Sequence, residues 1–573
     1  MADTRVKSLI QQGDHLFSKR ITLMSLWQEI AENFYVERAD FTVTRNLGVD
    51  FAANLMTSIP PMVRRDLGNT FSTMLRPSDE IWFEGRAEDD ANNEIQDADN
   101  DSLRWLQWMS GVMRRAMYDR KSQFVRATKE ADHDFAAFGQ AVLSVEVNRR
   151  DNTMLYRCWH LRDVAWCENA YGEIDTVHRK WKPTARELVN VFGASRVHAK
   201  VLKLLNENDG KNAYTEINCR HMLIPADMYD FSDDEKDRFG LGKLTRAGRR
   251  DAPFVSIYID VDNQHIMEAT PQWVFTYVIP RWQTVSGSQY SFSPATTIAL
   301  PEARLMQSVT LTLLEAGEKA VNPPLIGVAE ALRGDLDIRA GGFTAVDSEY
   351  DERLGEVLRP LTQSAAGNLN FGVALQQQLV QTLKEAFFIN KIQLPPIEQN
   401  MTAFEVGQRV QEYVRQALPI FEPAEQEYNT RVCDVTFDLM MREGAFGSYG
   451  MIPPALRGKN VRFKFTNPLT ETSERAKGQK FLEAVQLVAQ AASADPGAAQ
   501  IVDVRAALRD SLNNIIPAKW MRSDDDMKQI EAQQAQQQQE QQMLAQLQQG
   551  AQTAQMVGDA GQSLVKMQNP QVM

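Results

Sequence analysis

Residues 305–325, LMQSVTLTLLEAGEKAVNPPL, restrict the possible folds more than any other stretch. Leu305, Met306, Val309, Leu311, Leu313 and Leu314 cover most of a helix circumference. The polar positions before Glu315 are the uncharged Gln307, Ser308, Thr310 and Thr312. A helix resting on one core carries an apolar stripe on one face and charge on the other. This one offers little charge to water, and Asn322-Pro323-Pro324 ends it. The pattern predicts a helix with protein neighbours on more than one side.

The rest of the chain is ordinary by comparison. Its 573 residues allow about two to four domains. With 43% hydrophobic and 24% charged residues the composition is that of a soluble protein. Sixty-two basic against 75 acidic side chains give a net charge of −13, which argues against a sequence-reading DNA binder. It does not argue against a protein that DNA must pass without sticking. The start, MADTRVKSLIQQGD, has no apolar h-region, so no secretory signal is expected. Residues 282–301 and 361–383 lack charge but are laced with Ser, Thr, Gln, Asn, Gly and Pro, so no membrane crossing is expected. Four cysteines fit a cytosolic pattern rather than a disulfide framework. Cys158/His160 and Cys219/His221 could each face one side of a strand, but without C-x₂-C or H-x₃-H partners no zinc is expected.

Helical spacing predicts helices over 4–38, through Leu9, Ile10, Leu16, Phe17, Leu23, Leu26, Trp27, Ile30 and Phe34. A second helical block covers about 49–75, broken by Pro60-Pro61. Seven acids between Ala87 and Asp101 read as a solvated loop, and Ser102 as the N-cap of a helix to about Tyr118. Another helix ends before Gly139. AVLSVEVN, TMLYRCWH, DVAWCEN and DTVHRKW then read as short strands, with further strands near 213–224, 254–260 and 264–269 and a capping box at Thr184–Glu187. Residues 140–280 thus form an α+β module between helical blocks. Helix is expected from about 294 to Val321, strand and turn over 325–360, and helix again over 366–390. A second capping box, Thr402–Glu405, opens a helix that Pro419 and Pro423 should kink, and VRFKFT (461–466) is a strand. The Gln-rich tail reads equally as a bundle-forming helix or as disorder.

Chemical motifs are missing. There is no G-x₄-G-K-[ST] loop, no H-E-x-x-H and no G-x-S-x-G, and seven scattered histidines assemble no acid–base set. Phe239-Gly-Leu-Gly-Lys243 lacks the upstream glycine of a phosphate loop, and Arg333-Gly334-Asp335 matches an adhesion tripeptide that any chain carries by chance. No catalytic residue, cofactor or metal site is predicted, so a structural protein is favoured over an enzyme.

Several stretches, in order, resemble the portal (head-to-tail connecting) proteins of short-tailed bacteriophages. They are RDLGNTFSTMLRPSDEIWFE (65–84), AFGQAVLSVE (137–146), FTYVIPRWQTVSGSQYSFSPA with the long helix and VNPPL after it, and MTAFEVGQRVQEYVRQALPIFEPAEQE (401–427). The resemblance covers roughly residues 20–470. Ser291 departs from it, standing where relatives often carry glycine after the tyrosine.

The resemblance implies an α+β, predominantly helical fold arranged as wing, stem, clip and crown in a cyclic ring of twelve. It implies a wing over 1–293, a first stem helix over 294–321, a clip over 322–360 and a second stem helix over 361–390. A channel loop at 391–401, a long kinked helix and strand returning to the wing over 402–467, crown helices over 468–525 and the tail over 526–573 complete it. Such rings sit at one capsid vertex of the virion, after assembly in the host cytoplasm. They pass double-stranded DNA, dock the packaging terminase and then tail adaptors, and contact major capsid and scaffolding proteins. In a ring, stem helices have neighbours on both flanks. Val309, Leu313 and Leu314 are therefore the subunit-interface candidates, and Lys384 and Lys391, near the IQLPP break, the DNA-channel candidates. Two other readings compete: a metal-dependent nucleic-acid-processing enzyme, with Asp233-Asp234-Glu235 as possible Mg²⁺ ligands, and a smaller head-closure adaptor ring.

Overall fold

The computed structural model describes residues 4–44, 46, 48–78, 81–88, 100–206, 208–231, 252–321, 325–327, 358–360, 365–392, 415–416 and 419–466, with parts of 527–543. Outside the described residues lie most of the acidic stretch, Asp233–Glu235, Phe239–Lys243, Arg333–Asp335, the second capping box and the expected crown. Contacts divide the chain into two compact units: Met1–Trp82 with Met113–Ala445 and Phe465–Ser473, and Phe83–Val112 with Phe446–Lys464 and Glu474–Met573.

The chain opens with helices α1 (Thr4–Ser18), α2 (Ile21–Phe34) and α3 (Ile59–Leu75). Pro60 and Pro61 do not break α3; they begin it. Proline lacks the N–H that a first turn leaves unpaired anyway, and its φ is already helical, so a Pro-Pro pair starts a helix as readily as it stops one. Strand β1 (Phe83–Glu88) follows, then α4 (Asn100–Met117) and α5 (Phe124–Phe138). Ser102 is not the N-cap of α4: the helix begins two residues earlier and Ser102 is buried within it.

The expected α+β module is present as β2 (Leu143–Val147), β3 (Met154–Cys158), β4 (Val164–Glu168), β5 (Ile174–Trp181), α6 (Ala185–Phe192), α7 (Ala199–Asn206), β6 (Cys219–Pro225), β7 (Phe254–Asp260), β8 (His265–Gln272) and β9 (Tyr277–Val278). β4 to β8 form an antiparallel sheet in sequential order, and β3-β2-β9 a second one. Successive side chains face opposite sides of a strand. Met222, Ile224, Val255, Ile257 and Ile259 accordingly pack on Val6 and Leu9 of α1, while Cys219 and Met267 on the other face pack on Leu188, Phe192 and Val201 of α6 and α7. Each such fully buried aliphatic side chain contributes about 2 kcal/mol. The Thr184 capping box starts α6 as expected, with Glu187 N donating to Thr184 Oγ1 at 3.3 Å and Thr184 N to Glu187 Oε2 at 3.0 Å.

Beyond the module come α8 (Pro294–Val321), β10 (Leu325–Gly327), β11 (Leu358–Pro360), α9 (Ala365–Ala386), α10 (Ile389–Ile392), α11 (Thr430–Arg442) and β12 (Asn460–Phe465). α9 stops short of its expected end because Phe388 turns into the left-handed region at φ 60°. Just after Pro423 the helix leading to α11 widens into a π turn, Glu425–Asn429. Pro423 cannot donate to the carbonyl four residues back, so the ladder is already weakened there. The turn's side chains are anchored: Glu427 takes three hydrogen bonds from Arg281 at 2.9–3.0 Å, and Asn429 Oδ1 takes one from Arg76 at 2.7 Å. In the second unit β1 pairs with β12, a partner the sequence reading did not give it. Gly85 N donates to Ser110 Oγ at 2.9 Å there, and Trp105 and Trp108 both reach Phe446.

Candidate assembly and conduit hairpin

The long uncharged helix begins by capping another one. The last carbonyls of α5 have no partner within that helix. Ser293 Oγ donates to Ala136 O and Thr296 Oγ1 to Ala137 O, both at 2.8 Å, and Gly139 N closes back on Phe135 O at 2.8 Å. Buried Ala295, Ala299 and Ala303 let α8 approach closely. Two hydroxyls of the uncharged run 282–301, those of Ser293 and Thr296, are thus helix-capping donors. Gly139 has φ 71°, and a Cβ there would lie 2.1 Å from the Phe292 carbonyl carbon. Ser291 needs no glycine-like φ and is fully buried. Its hydroxyl donates to Gly139 O at 2.6 Å, and its N–H to Gln140 Oε1 at 3.0 Å.

Further along, Gln307 clamps the segment before α3. Its Oε1 accepts from Met56 N at 2.7 Å and Thr57 N at 3.0 Å, and its Nε2 donates to Thr57 O at 3.2 Å. α9 then runs back antiparallel to α8. Gln376 donates to Thr310 Oγ1 at 3.2 Å, and a Cβ on Gly372 would meet Leu313 Cδ2 at 2.5 Å. Two strands between these helices in the chain also pair antiparallel, with Leu325 opposite Pro360 and Gly327 opposite Leu358. In chain order these elements are helix, strand, strand and helix, a hairpin of two antiparallel pairs.

The candidate residues separate on this geometry. Leu313 is half-buried against Gly372 of its own chain, Val309 is half-buried, and Leu314 is 55% exposed. Leu314, Gly317, Glu318, Lys319 and Val321 join Leu313 around an open groove of ≈ 700 Å³. Leu305, Leu311 and Ile298 on α8 and Val373 on α9 are exposed as well, and Phe371 is 73% exposed. Lys384 is half-buried near the inner end of α9, where Leu383 and Phe387 enter the core and Phe387 meets Phe34 at 5.3 Å. Lys391 lies on α10, and its side chain is outside the described residues.

The metal-type pairs have other employment. Cys158 ends β3 while His160 caps the short turn after it, so the two do not share a strand face. His160 Nε2 lies 2.7 Å from Asp40. His221 is bracketed by Tyr277 OH at 2.6 Å and Ser256 Oγ at 2.9 Å. That Ser–His–Tyr chain has the spacing of a hydrolytic relay, but all three members are buried. Burial, then Arg179, push the His221 pKa well below its usual value, making it a poor base. No group of three or more His, Cys, Asp or Glu able to hold a metal exists among the described residues, and no described helix is long and apolar enough to cross a membrane.

Known proteins resemble this chain over most of its length. It is 23% identical over 480 residues to a "Probable portal protein" of Bordetella phage BPP-1, covering 82% of this chain and 80% of the relative. It is 21% identical over 521 residues to a "Portal protein" of Salmonella phage epsilon15, covering 89% and 87%. A chain from the virion of a native gene transfer agent particle aligns over 77% of this chain and 90% of its own at 8% identity, but with a TM-score of 0.33 the likeness is too slight to bear on the fold. The sequence model of a family described as "Bacteriophage head to tail connecting protein" matches residues 6–522, and the chain belongs to that family of phage portal proteins.

Proposed function

We propose that the chain assembles into a ring of twelve at one capsid vertex of a phage virion, formed in the host cytoplasm. Double-stranded DNA passes through it during packaging and ejection. The observation that carries this reading is the apolar surface left open on both helices of the hairpin: Leu305, Leu311 and Leu314 on one, Phe371 and Val373 on the other. A ring joins two different patches on neighbouring copies, and two flanks of one hairpin supply such a pair. In this reading residues 1–293 form the wing, α8 and α9 the stem, and residues 322–360 the clip that meets terminase and then tail adaptors. Residues 391–401 are the channel loop, 402–467 the kinked helix and returning strand, 468–525 the crown and 526–573 the tail. Major capsid and scaffolding proteins surround the wing.

The described part of the hairpin carries few charges, Glu302, Arg304, Glu315, Glu318, Lys319, Arg359, Lys384 and Glu385. Arg304 is paired with Glu29. Each basic contact to phosphate raises affinity for DNA, so a sparsely charged lining lets it slide, with Lys384 and Lys391 as guides. The role is structural rather than catalytic; incubation of the pure protein with duplex DNA and Mg²⁺ should leave the DNA intact. Electron microscopy of the purified full chain tests the whole reading. End-on views should show a closed ring of about twelve subunits around a hole. A persistent monomer or dimer at high concentration and moderate salt would overturn it.

A further inference from the structure

We infer that Phe17 and the cations gathered on it form a binding site for a phosphate oxyanion. Three positive groups from separate parts of the chain converge on this one ring. The Lys180 ammonium of β5 lies 4.1 Å from its centroid, the Arg20 guanidinium carbon 4.8 Å and the Arg220 guanidinium carbon 5.7 Å. The nearby carboxylates are already engaged: Asp14 accepts from Arg220 Nη2 at 2.7 Å, and Asp163 accepts from Arg162. Lys180 has no carboxylate at ion-pair distance among the described residues.

The arginines cannot turn away. Arg20 and Arg220 are 2% and 4% exposed, held by the carbonyls of Leu161, Arg162 and Ile10. Their Nε atoms, and Nδ1 of the buried His178 beside Arg220, have no hydrogen-bond partner. His178 cannot add to the charge balance as an anion, and Lys180 is the exposed member that meets a ligand. Buried cations act through a low dielectric, so the two arginines strengthen whatever anion Lys180 holds. Burial and these neighbours also lower the pKa of Lys180, as expected where positive charge is in excess. A compact oxyanion with more than one negative charge answers that excess best. It has two possible sources, free phosphate and the backbone of nucleic acid, and the site does not depend on the ring reading above.

Thermal unfolding of the full chain tests the site, in inorganic phosphate against sodium chloride at matched ionic strength and pH 7. Phosphate at a hundred times its Kd should raise the wild-type apparent Tm by about 2 °C. Lys180→Met should unfold higher than wild type in chloride, because a repulsion is gone, and should lose the phosphate gain. Lys180→Arg keeps the charge and should keep the gain, which guards against a Met variant that folds poorly. Adding a short duplex DNA in place of phosphate assigns the source: a Lys180-dependent gain there points to nucleic acid, and its absence beside a phosphate gain to the free ion. No phosphate gain in wild type, or an equal gain in Lys180→Met, would overturn the proposal.

Discussion

At the residue scale, the join between α5, the β2 sheet and α8 depends on one glycine. Gly139 combines a left-handed φ with backbone atoms of Phe292 and Ser293 where a Cβ would sit. Relief would have to come from backbone, not from a pliable side chain. Gly139→Ala should destabilise the fold by more than about 2 kcal/mol, read as a lower denaturant midpoint or lost soluble yield. A wild-type midpoint in that variant would show that the join is looser than its hydrogen bonds suggest. The sequence made Gly139 visible as a helix terminator. It could not show the backbone facing it from residues 292–293, because nothing local encodes a contact across that distance. The reverse holds at Ser291, whose departure from a common glycine looks awkward in sequence and proves an ordinary φ with two added hydrogen bonds. Buried ion pairs were equally silent. Arg38 grips Asp134 with two bonds of 3.0 Å, and Arg76 pairs with Asp132. Removing one partner of such a pair leaves a buried charge and typically costs about 3–5 kcal/mol.

At the element scale, the bounds of α8 were legible because prolines and uncharged residues mark them. The pairing of β1 with β12 was not, since a strand partner hundreds of residues away leaves no local signal. Pro60-Pro61 is ambiguous in sequence because the same two residues serve both ends of helices, and only the flanking packing decides. The hairpin also reorders the assembly candidates. Leu313 spends its side chain on Gly372, so Leu313→Glu would disturb the single chain before any contact between copies. Leu314 points outward, and Leu314→Glu separates the two effects. It should leave the circular dichroism spectrum and Tm of the subunit near wild type while size-exclusion chromatography shifts from ring to smaller species, because an apolar contact now buries a charge. A ring of normal size and stability from Leu314→Glu would remove that face of α8 from the interface.

At the scale of the whole molecule, stability should be sensitive to acid. Burial, then the charge of Arg220, lower the His178 pKa to about 4, and burial followed by Arg64 does the same at His133. A histidine in the unfolded chain titrates near 6.5. The unfolded state therefore binds the extra protons first, and stability, fully present above about pH 6.5, falls as pH drops toward 4. For His178, 1% exposed, the loss is about 3 kcal/mol across that window. Tm measured from pH 7.5 to 4.5 should decline steeply below 6.5, and His178→Gln should flatten the slope. A Tm independent of pH over this range would mean that these imidazoles remain accessible to protons. The acidic balance of −13 was readable from composition alone; which histidines are sealed depends on tertiary packing, and no sequence pattern announced it.

The β10–β11 ribbon has a genetic corollary. Gly327 and Leu358 lie directly opposite each other in the ribbon, so the chain leaves it and re-enters it at neighbouring positions. Lengthening, shortening or exchanging the segment between them moves no residue of α8 or α9 out of alignment with its partner. A lineage can therefore trade this stretch by recombination while the two helices keep their alignment.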